Sequence, residues 1–169
     1  VKNAILHRGT EQNGNDNAIL IYYDNFDRNI PTMQAMISAS PTIGIWYPRI
    51  TFAVVKQWLT MNSLGEDVKL NQPIPVVSFG NTFRLPKGFM LNLDYTYQGK
   101  GDSRVYHMLK ATNQANISLR KTFLKDALSV ELHANNIFDD EAGLVMMYSD
   151  QYRLKQWSKV SMRTFGMTL

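Results

Sequence analysis

Between Phe79 and Asp139 apolar and polar residues alternate with a period of two, and very short turns interrupt the alternation. Phe89, Leu91, Leu93, Tyr95 and Tyr97 alternate with Met90, Asn92, Asp94, Thr96 and Gln98, so a strand here carries one apolar and one mostly polar face. The pattern returns in Ala115, Ile117 and Leu119 against Asn116, Ser118 and Arg120. It returns again in Leu128, Val130, Leu132 and Ala134 against Ser129, Glu131, His133 and Asn135. Upstream, Ala35, Ile37 and Ala39 oppose Gln34, Met36 and Ser38. This predicts a strand from Met33 to Trp46 with Pro41 at a bulge or bend, then a tight turn at Tyr47-Pro48-Arg49. Strands are expected over Ile50 to Met61, Ile74 to Leu85 and about Trp157 to Leu169, with a polar loop over 62–73. Near the start, Glu11 to Asn17 reads as a turn or loop. Ala18 to Tyr23 reads as a strand leading to a corner at Asp24-Asn25-Phe26-Asp27.

The connectors differ at the two ends of these strands. Leu85-Pro86-Lys87-Gly88 and Leu124-Lys125-Asp126 are tight, whereas 98–106 and 139–156 are long. Short turns at one end and long polar loops at the other are the asymmetry of an outer-membrane β-barrel. The fold expected is all-β, an antiparallel up-and-down transmembrane barrel segment of about seven to eight strands, with short periplasmic turns and long extracellular loops. Aromatics should then gather at both membrane margins. Trp46, Tyr47, Phe83, Phe89 and Phe123 flank the short turns, and Trp58, Tyr95, Tyr97 and Phe138 lie toward the other ends. A soluble β-sandwich that buries the same aromatics satisfies the period-two rule equally well.

Composition narrows the picture only slightly. At 169 residues, 44% hydrophobic and 11% aromatic, the chain fits one domain of either kind. No apolar run approaches the roughly 20 residues of a membrane-spanning helix, so any crossing is by strands. Cysteine is absent, which removes disulfide and thiol chemistry. The net charge of +4 is scattered without a basic block, which argues against nucleic acid as a partner. Val1-Lys2-Asn3-Ala4 shows neither an initiator Met nor a secretory leader, so the chain is expected to be a piece of a larger protein.

Several ordered segments carry a family likeness. Phe79-Gly80-Asn81-Thr82-Phe83-Arg84-Leu85-Pro86-Lys87-Gly88-Phe89 resembles the N-x-F-x-L-P-x-G-aromatic hairpin near the end of Bacteroidota TonB-dependent receptors. Leu119 to Leu128, followed by Ala134-Asn135-Asn136-Ile137-Phe138-Asp139, resembles that family's K-[ST]-F-L-x-x-x-L and N-D-I-F-[ND] segments. Ser161 to Leu169 is similar to its last strand. Asn136 stands where the family often has Asp, and the family usually runs on to a terminal aromatic. The resemblance covers roughly 33–169. It implies that 1–169 is the C-terminal part of an outer-membrane β-barrel domain without its plug, with 1–30 the least defined portion. It implies a role in energised nutrient uptake at the bacterial outer membrane. The partners implied are outer-membrane lipid, the missing barrel strands, the plug, TonB through that plug, and a nutrient ligand.

Candidate site residues follow from the two faces. Asn92, Asp94, Thr96, Asn116, Ser118, Arg120, Glu131, His133 and Asn135 are expected to face the lumen, with Ser129 beside them. Phe89, Leu91, Leu93, Tyr95, Ile117, Leu119, Leu128, Val130 and Leu132 are expected to face lipid. Ligand capture is expected in the loops 62–73, 99–105 and 139–156. His7, His107 and His133 are isolated. Asp139-Asp140-Glu141 lacks the spacing of a calcium loop and reads better as a solvated carboxylate run. Gly99-Lys100-Gly101-Asp102-Ser103 lacks phosphate-loop spacing and reads as a flexible hairpin tip. No catalytic residue, metal or cofactor is expected, and no enzymatic activity.

Overall fold

The computed structural model describes residues 5–12, 19–25, 29–124, 127–140, 142–159 and 162–169. Its strands, in chain order, are β1 (Ile5–Gln12), β2 (Ile19–Asn25), β3 (Thr32–Ala39), β4 (Trp46–Gln57), β5 (Leu59–Ser63), β6 (Glu66–Leu70), β7 (Ile74–Leu85) and β8 (Phe89–Gln98). They continue with β9 (Gly101–Ser103), β10 (Tyr106–Met108), β11 (Thr112–Phe123), β12 (Leu128–Asn135), β13 (Ala142–Tyr148), β14 (Arg153–Lys159) and β15 (Thr164–Thr168). Seven of them form one antiparallel sheet in the order β15-β12-β11-β8-β7-β4-β3. This is the wall, and every neighbour pair in it keeps register without a bulge. The sheet is open. Its edges, β3 and β15, run in the same direction because six antiparallel pairings, an even number of reversals, separate them.

The connections repeat. At one end the wall strands join through tight turns. At the other, each connection rises into a two-stranded excursion: β5–β6 between β4 and β7, β9–β10 between β8 and β11, and β13–β14 between β12 and β15. The expected asymmetry is present, but the expected loops are not loops. Region 62–73 contains most of a hairpin whose Leu64-Gly65 tip has φ of 55° and 82°, the left-handed pair that a two-residue hairpin turn needs. Region 139–156 holds β13 and the start of β14. The strand expected from Trp157 to Leu169 is therefore two strands, β14 and β15, in different sheets.

Two other sequence boundaries move. The turn expected at Tyr47-Pro48-Arg49 lies instead between β3 and β4, closed by the Ile43↔Trp46 bridge with Gly44 at φ 59° and with Pro41 in this connector. Pro48 sits within β4, beyond the last β3 partner pair Ile50↔Ala39, so only β7 flanks it there. That one-sided position is where a strand accepts proline. Accordingly the predicted Met33–Trp46 strand ends at Ala39, and the predicted Ile50–Met61 strand begins at Trp46 and ends at Gln57. Near the start, Glu11 and Gln12 belong to β1 rather than to a loop, while 13–18 and the end of the 24–27 corner lie outside the described residues.

Burial is inverted relative to a soluble sheet. The buried cluster is Ile30, Leu59, Met61, Leu70, Val105 and Met147, with Val68, Tyr106, Tyr148 and Tyr152 packed against it, so the core lies among the excursions. The wall instead leaves Ile37 at 72% and Phe165 at 74% exposure. Among the described residues no second sheet covers that apolar face, which removes the sandwich alternative. The excursions are cross-linked by their own backbone. Buried Gln57 donates from Nε2 to Arg104 O at 2.7 Å and accepts Arg104 N–H on Oε1 at 2.6 Å. Leu64 N–H bonds Asp150 O, and Tyr148 N–H bonds Val105 O.

The segment at 99–101 is no flexible tip. Gly99 and Gly101 are buried, and Gly99 N–H bonds Pro75 O at 2.8 Å. A Cβ at Gly99 would come within 2.6 Å of the Pro75 ring, and one at Gly101 within 2.6 Å of Pro73 O. The backbone crossing is close enough to exclude side chains, and the actual hairpin tip lies at Arg104 and Val105. Gly99→Val and Gly101→Val are each expected to cost about 1–3 kcal/mol by overpacking. Urea unfolding in detergent checks this, and unchanged midpoints for both would show a looser crossing.

Candidate functional site on the polar face

Because side chains alternate, an unbroken register sorts every wall residue onto one of two faces. Trp46, Phe83, Leu91, Leu119, Leu132 and Met167 fall in one row, and Asn81, Leu93, Ile117, Ala134 and Phe165 in the next. Ile50, Phe79, Tyr95 and Ala115 follow, then Ile37, Phe52, Val77 and Tyr97. The nine residues read as lipid-facing thus share one face, with Phe89 and Val130 in the row of Lys121 and Leu128 beside Phe123. Two amides on this face are matched by aromatic donors. Trp46 Nε1–H donates to Asn81 Oδ1 at 3.0 Å, and the Tyr95 hydroxyl donates to Asn113 Oδ1 at 2.8 Å. Trp46 and Phe83 stack at 6.1 Å, and Tyr95 contacts both Phe79 and Phe138 at 6.4 Å.

The nine residues read as lumen-facing share the opposite face. Its rows include Ser38, Thr51, Ser78, Thr96 and Gln114; Arg49, Gly80, Asp94 and Asn116; and Thr82, Asn92, Ser118, His133 and Gly166. Hydroxyls and amides bond along these rows: Ser38 with Thr51 at 3.0 Å, Thr82 Oγ1 to Asn92 Oδ1 at 2.8 Å, and Asn92 Nδ2 to Ser118 Oγ at 3.0 Å. The wall strands hold five charged residues on this face, Arg49, Arg84, Asp94, Arg120 and Glu131. Only Lys56 and Lys121 lie on the apolar face.

Among the described residues, three hollows open on the polar side. One of about 420 Å³ gathers Asp94, Asn116, Ser118, Glu131, His133 and Asn135, six of the nine sequence candidates, with Thr168. A second, about 310 Å³, lies among Arg49, Gly80, Asp94 and Thr96. Gly80 makes room there, since a Cβ would stand 3.0 Å from Asp94 Oδ1. The third, about 360 Å³, lies where the wall meets the excursions, between Thr96, Gln98, Thr112 and Gln114 below and Met108, Lys110, Gly143, Leu144 and Val145 above. Asn92 and Arg120 line none of these three. Gly166 leaves space for His133, whose imidazole lies where a Cβ would project. The sequence reading missed Arg49 and Gln114, although each keeps phase with a polar neighbour two residues away. It missed Leu144 and Val145 because their strand was read as a loop, and Met108 because it fell outside every expected strand.

The sequence matches the outer membrane protein beta-barrel family over residues 2–169. The chain belongs to that family. Its location is accordingly the bacterial outer membrane. No curated protein and no solved structure matches it. The family's architecture accounts for an all-β antiparallel chain whose apolar residues sit on one uncovered face.

At the excursion end of this outer-membrane chain, the carboxylates read as a solvated run are engaged; Glu141 lies outside the described residues. Asp139 Oδ2 receives Lys159 Nζ at 2.7 Å and Oδ1 receives Arg163 N–H at 3.2 Å. Asp140 takes the Lys110 ammonium and, at 2.9 Å, the Asn113 amide. The hydrogen bond from Lys159 holds the Asp139 carboxyl below its ordinary value of 3.8, against a smaller desolvation effect. Lys110, then Asn113, lower Asp140 in the same way. Carboxylates depressed on folding contribute stability above the unfolded value, and that contribution is lost as pH falls through the folded one. Asp140→Asn should therefore speed hydrogen exchange around β13 at neutral pH. The difference from the parent should shrink as pH drops below 3.8. A difference independent of pH would contradict the ion-pair account.

Proposed function

We propose that this chain is barrel wall of a TonB-dependent outer-membrane receptor serving energised nutrient uptake. The apolar face meets lipid and the polar face meets the lumen. The tight turns lie on the periplasmic side and the excursions outside the cell. The observation that carries the reading is the combination of an apolar face left uncovered with a polar face bearing every carboxylate and arginine of the wall strands. Such a wall satisfies its backbone within the ladder while offering hydrocarbon to lipid.

Closure bears on the receptor reading. The edge strand β3 carries no charge, proline or glycine, and β15 carries no charge or proline, so neither has the usual protection against pairing. The two run alike, so an all-antiparallel barrel needs an odd number of further strands between them. A receptor barrel much larger than seven strands supplies them. In that protein the excursions capture ligand, TonB acts through a plug, and the polar hollows contact plug or passing ligand.

Two experiments test this. Phe79→Arg, in the row midway along the apolar face between those of Lys121 and Lys56, is expected to cost about 2–4 kcal/mol of folding stability in lipid vesicles, while Ser118→Arg on the other face costs close to nothing. Equal effects would sink the assignment of faces. For the receptor claim, the native polypeptide is isolated from its outer membrane after in vivo cross-linking. A mass several times 19.4 kDa with a TonB adduct is expected. A mass near 19.4 kDa without one would leave a small complete barrel and remove the transport role.

A further inference from the structure

We propose that Lys56 and Lys121 bind the phosphate groups of membrane lipids, one in each leaflet, and thereby fix the depth of the wall. This rests on the reading of the apolar face as lipid-facing. Both side chains stand on that face, where no other charged residue of the wall strands is found. Their positions are its two margins. Lys121 pairs across the ladder with Phe89; eight residues on, Tyr97 shares a row with Phe52, and Lys56 lies four residues further. Twelve residues of strand span about 40 Å at ~3.3 Å per residue. A strand tilt of about 40° brings that to about 30 Å along the membrane normal, close to the thickness of a bilayer's hydrocarbon core.

Each ammonium is also seated in the same way. Lys121 Nζ lies 4.2 Å from the centre of the Phe89 ring and 5.6 Å from that of Phe123, and it bonds the carbonyl of Lys87 in the tight turn. Lys56 Nζ lies 5.2 Å from the centre of the Trp58 ring. An aliphatic stem running along apolar surface toward a polar margin is how lysine snorkels. The aromatic seat holds the charge at the boundary, where lipid phosphates are the anions present. An ammonium has three donors, and the Lys87 carbonyl takes one of Lys121's, so the others are available to a phosphate oxygen.

The full chain is reconstituted in mixed phosphatidylglycerol and phosphatidylcholine, and the lipids it retains are counted by native mass spectrometry. The parent should enrich the anionic lipid several-fold, Lys56→Gln and Lys121→Gln should each lose part of that preference, and the double variant should lose all of it. Lys121→Arg should keep it. An unchanged preference in the double variant overturns the proposal, and loss confined to one single variant overturns its two-leaflet form. Quenching of Trp46 by lipids brominated in their acyl chains, in a Trp58→Phe, Trp157→Phe background, separates the two readings. Quenching with unchanged lipid preference defeats only the lysine proposal, whereas absence of quenching defeats the lipid-facing assignment beneath it.

Discussion

The structure depends on phase. Seven strands pair without a bulge, and each side chain's face follows from its parity. A slip of one residue in any strand would carry its apolar set to the polar side and its charges to the apolar side. Between β8 and β11, for instance, it would bring Asn116 into the row of Leu93 and Ile117 into that of Asn92. In lipid that exchange would set a polar group in hydrocarbon, where backbone and side-chain polar atoms have no water to turn to. The pairing that satisfies the ladder and the pairing that segregates polarity are the same pairing, and the fold needs both.

The second organising element is the layer of excursions. It holds the buried core that the wall lacks, built from Leu59, Met61, Leu70, Val105 and Met147. Polar fasteners tie it together. Arg153 reaches both Ser63 O and, at 2.7 Å, Glu66. Buried Asp102 accepts Gln72 N–H at 2.6 Å while His107 Nδ1 stands 2.6 Å from its other oxygen. The hollow of about 360 Å³ lies where this rim meets the wall. Wall and rim thus divide the labour between solvents: apolar surface outward in the wall, inward in the rim.

Much of the wall was legible in the sequence because period-two alternation is a local signal. Phe89 to Gln98 and Leu128 to Ala134 announce two faces without reference to any neighbour, and the short turn at Pro86–Gly88 is written in its residues. The excursions were less legible. Strands such as Gly101–Ser103 and Tyr106–Met108 are too short to show a period, and they become strands by pairing with each other and with β13. Pro48 misled because proline marks turns more often than one-sided strands. Gly99 and Gly101 misled because a glycine demanded by close packing looks, in one dimension, like a glycine that permits flexibility. The hollow of about 420 Å³ is assembled from residues on four strands, and Asp94 and Glu131 come to line it only through the register.

The most direct test is a spin-label scan of single cysteines along β8 in the folded protein in lipid vesicles, comparing accessibility to oxygen, which dissolves in hydrocarbon, with accessibility to a water-soluble nickel chelate. The account requires oxygen contact to peak at Leu91, Leu93 and Tyr95 and chelate contact to peak at Asn92, Asp94 and Thr96. Accessibility that varies smoothly along the strand, or the chelate reaching both sets equally, would contradict a wall with lipid on one side and an aqueous lumen on the other.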